Sequence, residues 1–179
     1  MKVTCTKLAA ATRQLNEAIA LLFAGRDPLG IRTLAAAAHG ILSDLVEVKR
    51  PGDSWRTGLI EASGLSKKDA LHVLNAAQNY LKHADRDPNE ILSFDEEEND
   101  HVIFFATLEL GELSGPLSFS MQTFQVWYLA CHPEWLDRES EIVKKTAFAF
   151  NNLHMLKRQD RLVEGARFTD SMRSKYEAP

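Results

Sequence analysis

The sequence predicts a single-domain, all-α bundle of five to seven helices. Apolar residues recur at helical spacing in every long segment, and no stretch alternates with period two for long enough to indicate a sheet. The chain has 179 residues, of which 45% are hydrophobic and 26% charged, so one domain with a substantial core is expected. We predict a bundle over residues 1–162 and a loosely ordered tail over 163–179.

A stripe of leucines predicts the first helix, over residues 6–24. Leu8, Leu15 and Leu22 follow one another at intervals of seven, which places them on one helical face. Gly25 is a typical stop signal after such a helix.

The second helix is predicted over 28–48 because Asp27 and Pro28 form a start signal. Aspartate is a good N-cap and proline suits the first helical position. The alanine run 35–38 would let a neighbouring helix come close, since small side chains shorten the distance between helix axes. A short helix near 54–62 follows a proline–glycine loop.

Ser66 predicts the start of a fourth helix, with Asp69 placed three residues later as in a capping box. Its expected apolar face consists of Ala70, Leu74, Ala77 and Leu81.

Three further segments complete the bundle. The acidic run 95–100 precedes an apolar stretch over 102–110, which is typical of a buried helix with acids in its first turn. Residues 119–131 form another apolar helix that Pro133 stops, and a last helix is predicted over about 139–161.

Charge is distributed unevenly along the chain. The formal net charge is −4, and the run 95–100 alone holds five acids. Residues 144–175 carry eight Lys or Arg against three Asp or Glu. A basic region of this kind can serve nucleic acid or an anionic partner. Acids at a helix start and bases at a helix end explain the pattern more simply, so nucleic acid is not the favoured partner.

The composition indicates the compartment and excludes common cofactor sites. Cys5 and Cys131 form no CxxC pair, which suits a reducing environment. We see no signal peptide and no uninterrupted apolar membrane span, so a soluble, cytoplasmic, bacterial-style protein is expected. The phosphate-loop, dinucleotide and HExxH zinc motifs are all missing, and no cofactor is predicted. The three tryptophans are expected to be core or capping residues.

A polar stripe along the fourth helix is the main candidate ligand-binding site. Its members are His72, Asn75, Asn79, Lys82, His83 and Asp87, with Arg86 nearby. Asn and His are poorer helix formers than Glu, Lys or Gln, which favours a site or a polar interface. A solvated face remains the alternative, because Asp87-Pro88 also forms a helix-start signal and Lys82 and His83 suit a helix end.

His39 lies on the face of the second helix that is predicted to be buried. A core histidine with one hydrogen bond is the simple interpretation, whereas a metal site would combine His39 with His83 and Asp87. No His-x-x-x-His or Glu-x-x-His pair supports that metal site, so none is assigned. Glu109 and Glu112 are the carboxylates to examine next, either as a site or as an ion-paired helix edge.

Two resemblances carry further expectations. The string Asn79 to Pro88, with its Lys-His-Ala-Asp-Arg-Asp-Pro core, resembles one in small bacterial proteins of no established activity. Arg32 and His39, separated by six residues, are also distantly similar to the motif of HEPN-type helical domains. Thr33 stands where those domains prefer Asn, Asp or His. The second resemblance implies a ribonuclease of a toxin–antitoxin or defence system, with Arg32 and His39 as catalytic residues.

Three hypotheses therefore stay open. The first is a non-catalytic helical module that forms a homodimer or binds a small polar or anionic ligand through the stripe. The second is a HEPN-like ribonuclease in which His39 performs general acid–base catalysis. The third is a metal-dependent hydrolase that uses His39, His83 and Asp87.

Overall fold

The computed structural model is all-α, as the sequence predicts. It describes residues 2–83, 85, 88–114, 117–135, 144, 146 and 148–176, and these ranges contain seven α-helices and no strand. The helices are α1 (Lys7–Phe23), α2 (Pro28–Lys49), α3 (Trp55–Ala62), α4 (Lys67–Tyr80), α5 (Glu98–Ser114), α6 (Phe119–Cys131) and α7 (Arg158–Tyr176). Short 3-10 turns cover Pro133–Trp135 and Leu153–Met155.

The predicted start signals operate locally. Side chains of Asp27, Ser54 and Ser66 accept hydrogen bonds from backbone N–H groups in the first turns of α2, α3 and α4. Ser66 Oγ also donates to Asp69 Oδ2 at 2.6 Å, which closes the first turn of α4. These bonds satisfy N–H groups that have no partner inside the helix.

The core is built around α2, which packs against α1 on one side and α5 on the other. The small side chains of Ala35 and Ala38 are fully buried there, as the predicted close approach requires. By length and composition α2 is apolar enough to cross a membrane, but these contacts are those of a core helix in a bundle. α6 adds the largest fully buried side chains, which are Phe124, Trp127 and Tyr128.

The C-terminal region differs from the expectation of a loosely ordered tail. Residues 158–176 form α7, whereas the described residues 150–157 are not α-helical, so the predicted helix over 139–161 is wrong in that part. In the rest of that predicted helix, the described residues 144, 146, 148 and 149 are helical as predicted, and residues 139–143, 145 and 147 lie outside the described residues. α7 packs on α6 and α1, and Gly165 lies against the rings of Phe23 and Trp127. A contact made through glycine leaves no apolar stripe in the sequence.

Ion pairs attach α7 to the acidic start of α5. Arg158 binds both oxygens of Asp100, at 2.6 and 3.0 Å, and Arg161 binds Glu97 at 2.6 Å. Asp100 is only 2% exposed, and burial raises the pKa of its carboxyl. The acidic run and the basic C-terminal region therefore pair with each other, in addition to any interaction with helix dipoles.

The segment after α4 leads through a short turn into the acidic run. Pro88 begins a turn and not a helix, and residues 90–95 have no regular structure. Extended chain spans about 3.3 Å per residue against 1.5 Å in a helix, which lets these residues link α4 to α5 over a distance. Tyr80 Oη donates to the carbonyl of Glu90 at 3.0 Å and holds the middle of the connection against the end of α4.

Candidate functional site: a cavity between α2, α4 and α5

A cavity of about 690 Å³ lies between α2, α4 and α5, with contributions from α3, the segment 92–94 and the turn at Trp135. Its lining residues are Arg32, Ala36, His39, Gly40, Arg56, Leu59, His72, Val73, Leu74, Asn75, Ala76, Ala77, Leu92, Ser93, Phe94, Glu98, His101, Val102, Phe105 and Trp135. The candidate pair Arg32 and His39 lines the cavity, and so do two members of the polar stripe, His72 and Asn75. The volume is typical of a site for a small organic molecule.

Arg32 forms one edge of the cavity. Its side chain is only 6% exposed and forms an ion pair with Glu98. The guanidinium also lies over the ring of Phe94, 5.1 Å from the ring centroid. The ion pair and the cation–π contact together hold the arginine in one orientation.

His39 lies about two turns after Arg32 on the same face of α2 and is held neutral. Burial, with a smaller contribution from the positive charge of Arg56, lowers the pKa of His39 from 6.5 to about 4. Its Nε2 has no hydrogen-bond partner among the described residues. A neutral imidazole can both donate and accept a hydrogen bond, so His39 is equipped to recognise a polar group.

Arg56, at the start of α3, is the second cation of the lining. It binds Asp44 at 2.7 Å, and the Asp44 side chain is 71% exposed. Two arginines and one glutamate leave the lining with one formal positive charge, although the whole chain carries −4. The cavity is therefore more favourable to an anion than the protein as a whole.

His101, on α5, is held in place by a hydrogen bond to Tyr128 of α6. Its Nδ1 lies 2.6 Å from Tyr128 Oη, and its ring centroid lies 5.3 Å from that of His132. Burial and the neighbouring His132 lower the pKa of His101. This histidine thus also presents a neutral ring to the cavity at pH 7.

The opposite part of the lining is apolar and aromatic. Phe105 lies next to Trp135, with ring centroids 6.2 Å apart. Trp55, which does not line the cavity, lies 5.9 Å from Phe105. Trp135 and Trp55 are 48% and 44% exposed, so the prediction that all three tryptophans are core or capping residues is wrong for these two. The prediction is confirmed for Trp127, which is 1% exposed.

The predicted polar stripe is divided by the structure. His72 and Asn75 line the cavity, whereas Asn79 and Lys82 are exposed outside it, and the partly buried His83 does not line it. Asp87 and Arg86 lie outside the described residues.

The apolar face predicted for α4 is only partly buried. Ala70 and Ala77 are buried as expected, but Leu74 is 40% exposed, and Gln78 is buried instead. α4 packs on α2 and α3 and also covers the cavity, so its inner face need not be continuously apolar.

The described residues do not supply the ligands that the metal hypothesis requires. There, no group of three His, Cys, Asp or Glu side chains is arranged to hold a metal ion. Glu112 forms an ion pair with Arg50 at 2.6 Å, as the helix-edge interpretation expects. Glu109 is fully buried and accepts a hydrogen bond from Ser43 at 2.9 Å, and burial raises the pKa of its carboxyl.

Sequence reasoning did not identify Arg56, Glu98, His101 or Trp135 as parts of a site. Glu98 and His101 are three residues apart on α5, and both line the cavity. Their spacing on one helical face was a usable signal, but nothing local indicates which neighbour that face meets.

A comparison of the chain with protein-family models, curated proteins and solved structures finds no match.

Proposed function

We propose that the protein binds a small organic anion with an apolar body in the cavity between α2, α4 and α5. The observation that carries this proposal is the composition of the lining, in which two arginines and three of the six histidines of the chain meet an apolar wall. Binding sites for small molecules are mostly apolar, with a few polar groups that fix orientation.

The anionic group is inferred from Arg56. Among the described residues, Asp44 is the hydrogen-bond partner of its guanidinium, and it engages one of five N–H donors. The remaining donors suit a carboxylate, sulfonate or phosphate. Arg32 adds positive charge, but its ion pair with Glu98 already neutralises it in part.

The apolar body is inferred from α4 and α5. Val73 and Leu74 line the cavity while 65% and 40% exposed, and Phe105 lies across from them on α5. Covering apolar surface is favourable by about 25 cal/mol per Å², so a ligand that fills this space gains affinity from contact area alone.

The proposal is tested with 8-anilinonaphthalene-1-sulfonate, a fluorescent amphipathic anion, on the whole chain. We expect saturable binding with one site per chain. Ala76→Phe, which fills the cavity, should weaken binding more than tenfold, and Ala20→Phe is the matched control on an exposed position of α1. Arg56→Gln should weaken binding roughly ten- to hundredfold, since a charge-assisted hydrogen bond contributes about 1.5–3 kcal/mol, whereas exposed Arg13→Gln should not.

Circular dichroism melts of each variant establish that it is folded. Fluorescence that never saturates, or equal affinities of the cavity and control variants, would contradict the proposal.

A ribonuclease is the second candidate function, favoured by one observation. Arg32 and His39 line the same cavity, and His39 is neutral at pH 7, as a general base must be. The test is cleavage of a labelled single-stranded RNA by the wild type and by His39→Asn, with His154→Asn as the exposed control. Absence of cleavage, or equal cleavage by all three proteins, would count against this candidate.

A further inference from the structure

We infer that the ligand is a planar aromatic acid, whose ring lies against Trp135 and Phe105 while its anionic group meets Arg56. The inference rests on the proposed function and adds the chemical class of the ligand. Its basis is that the aromatic side chains of the cavity are held in place by the fold and yet remain partly uncovered.

Trp135 is the clearest case of a fixed but uncovered ring. It belongs to the turn after α6, where Pro133 ends the helix. Its ring lies 5.6 Å from that of Tyr128 and 6.0 Å from that of His101, with the His101 ring nearly parallel at 8°. Tyr128 is fully buried, so these contacts orient the tryptophan, and 48% of its surface is still exposed.

Phe105 adds a second ring to the aromatic surface of the cavity. Its ring centroid lies 6.2 Å from Trp135 and 5.9 Å from Trp55, the residue that directly precedes Arg56. Trp135 and Phe105 thus form a row of two rings in the lining of the cavity that Arg56 also lines. A flat acid placed along this row would contact the rings and the cation at the same time.

The physical reason for an aromatic ligand lies in the geometry of these pairs. Aromatic rings attract each other in offset or edge-on arrangements with centroids about 4.5–7 Å apart, beyond what burial of area contributes. Phe94 offers less surface for such a contact, because Arg32 already covers one face of its ring. The row from Trp135 to Phe105 is therefore where a flat ligand gains most over an aliphatic one of equal size.

The experiment compares two acids of similar size and equal charge, 2-naphthoate and the saturated decahydronaphthalene-2-carboxylate. Each is titrated calorimetrically into the whole chain, and each is tested for displacement of 8-anilinonaphthalene-1-sulfonate. We expect 2-naphthoate to bind three- to tenfold more tightly, which corresponds to the extra attraction of one aromatic pair.

Two variants locate the effect. Trp135→Leu and Phe105→Leu should each reduce the preference for 2-naphthoate to less than twofold while the saturated acid binds as before. Phe148→Leu is the matched control, since Phe148 is 95% exposed and does not line the cavity. If Trp135→Leu does not fold, Phe105→Leu alone carries the test.

The outcomes separate this inference from the proposed function. Equal binding of both acids, or a preference that survives both variants, overturns the aromatic assignment and leaves the anion site standing. Failure of both acids and of the fluorescent sulfonate to bind overturns the proposed function and this inference together.

Discussion

Replacing Gly165 by alanine tests whether α7 docks on the bundle as described. A Cβ atom at this position would lie 2.8 Å from Trp127 Cδ1 and 2.9 Å from Phe23 Cδ1, with another atom of the Phe23 ring closer still. Both neighbours are ring atoms, and Trp127 is only 1% exposed, so it has little room to move.

The expected magnitude combines two opposing effects. Overpacking a well-filled contact costs about 1–3 kcal/mol. Replacing a helical glycine by alanine stabilises by about 1 kcal/mol, because alanine restricts the unfolded chain and favours the helix. The net loss for Gly165→Ala is therefore about 0–2 kcal/mol.

Gly111→Ala in α5 is the matched control. Nothing lies within 4 Å of a Cβ at that position, so only the stabilising effect of about 1 kcal/mol remains. The two variants should therefore differ by about 1–3 kcal/mol in the free energy of unfolding by urea. For a chain of this size the difference corresponds to roughly 3–9 °C in Tm.

The result that would refute this reasoning is stabilisation of both variants to the same extent. Alanine at an exposed position of an undocked helix would behave in that way. Equal stabilisation would mean that residues 163–176 do not contact Phe23 and Trp127 in solution, and it would favour the loosely ordered tail that the sequence predicts.

Two further predictions concern charge. The folded-state pKa of His39, about 4, lies below its ordinary value of 6.5, so the unfolded chain binds the proton first and stability is lost as pH falls from 6.5 towards 4. Urea melts at pH 7 and pH 4 give the free energy of unfolding that each protein loses between these pH values. This loss should be roughly 3 kcal/mol smaller in His39→Gln than in the wild type, and equal losses in the two proteins would contradict the prediction. Arg158→Met should cost about 3–5 kcal/mol, because it leaves Asp100 buried without its partner, whereas Arg167→Met, which breaks an exposed pair, should cost less than about 1 kcal/mol. Equal losses in these two variants would show that the Asp100 pair is not desolvated.

Features that depend on neighbours along the chain could be predicted from the sequence. The bounds of α1, α2 and α6 agree with the predicted segments to within a residue, since apolar spacing, capping side chains and stop residues all act within a few positions. Trp127 was correctly placed in the core for the same reason. The start of α5 follows from its acidic first turn.

The docking of α7 was missed because its strongest contacts are unlike those of an amphipathic helix. Gly165 contributes a backbone surface, and Arg158 and Arg161 contribute charges whose partners, Asp100 and Glu97, lie in the acidic run at the start of α5. None of these residues adds to an apolar stripe, so the segment has the composition of a solvated tail.

The sequence by itself determined the helices, their starts and the candidate residues Arg32, His39, His72 and Asn75. Only the tertiary structure decided that these four share one cavity and that Asn79, Lys82 and His83 do not. Arg32 meets Glu98 across 66 positions of the chain, and His101 meets Tyr128 across 27. Helical periodicity specifies which face of a helix is apolar, but the partner of that face depends on how all the helices pack, and no local pattern encodes that choice.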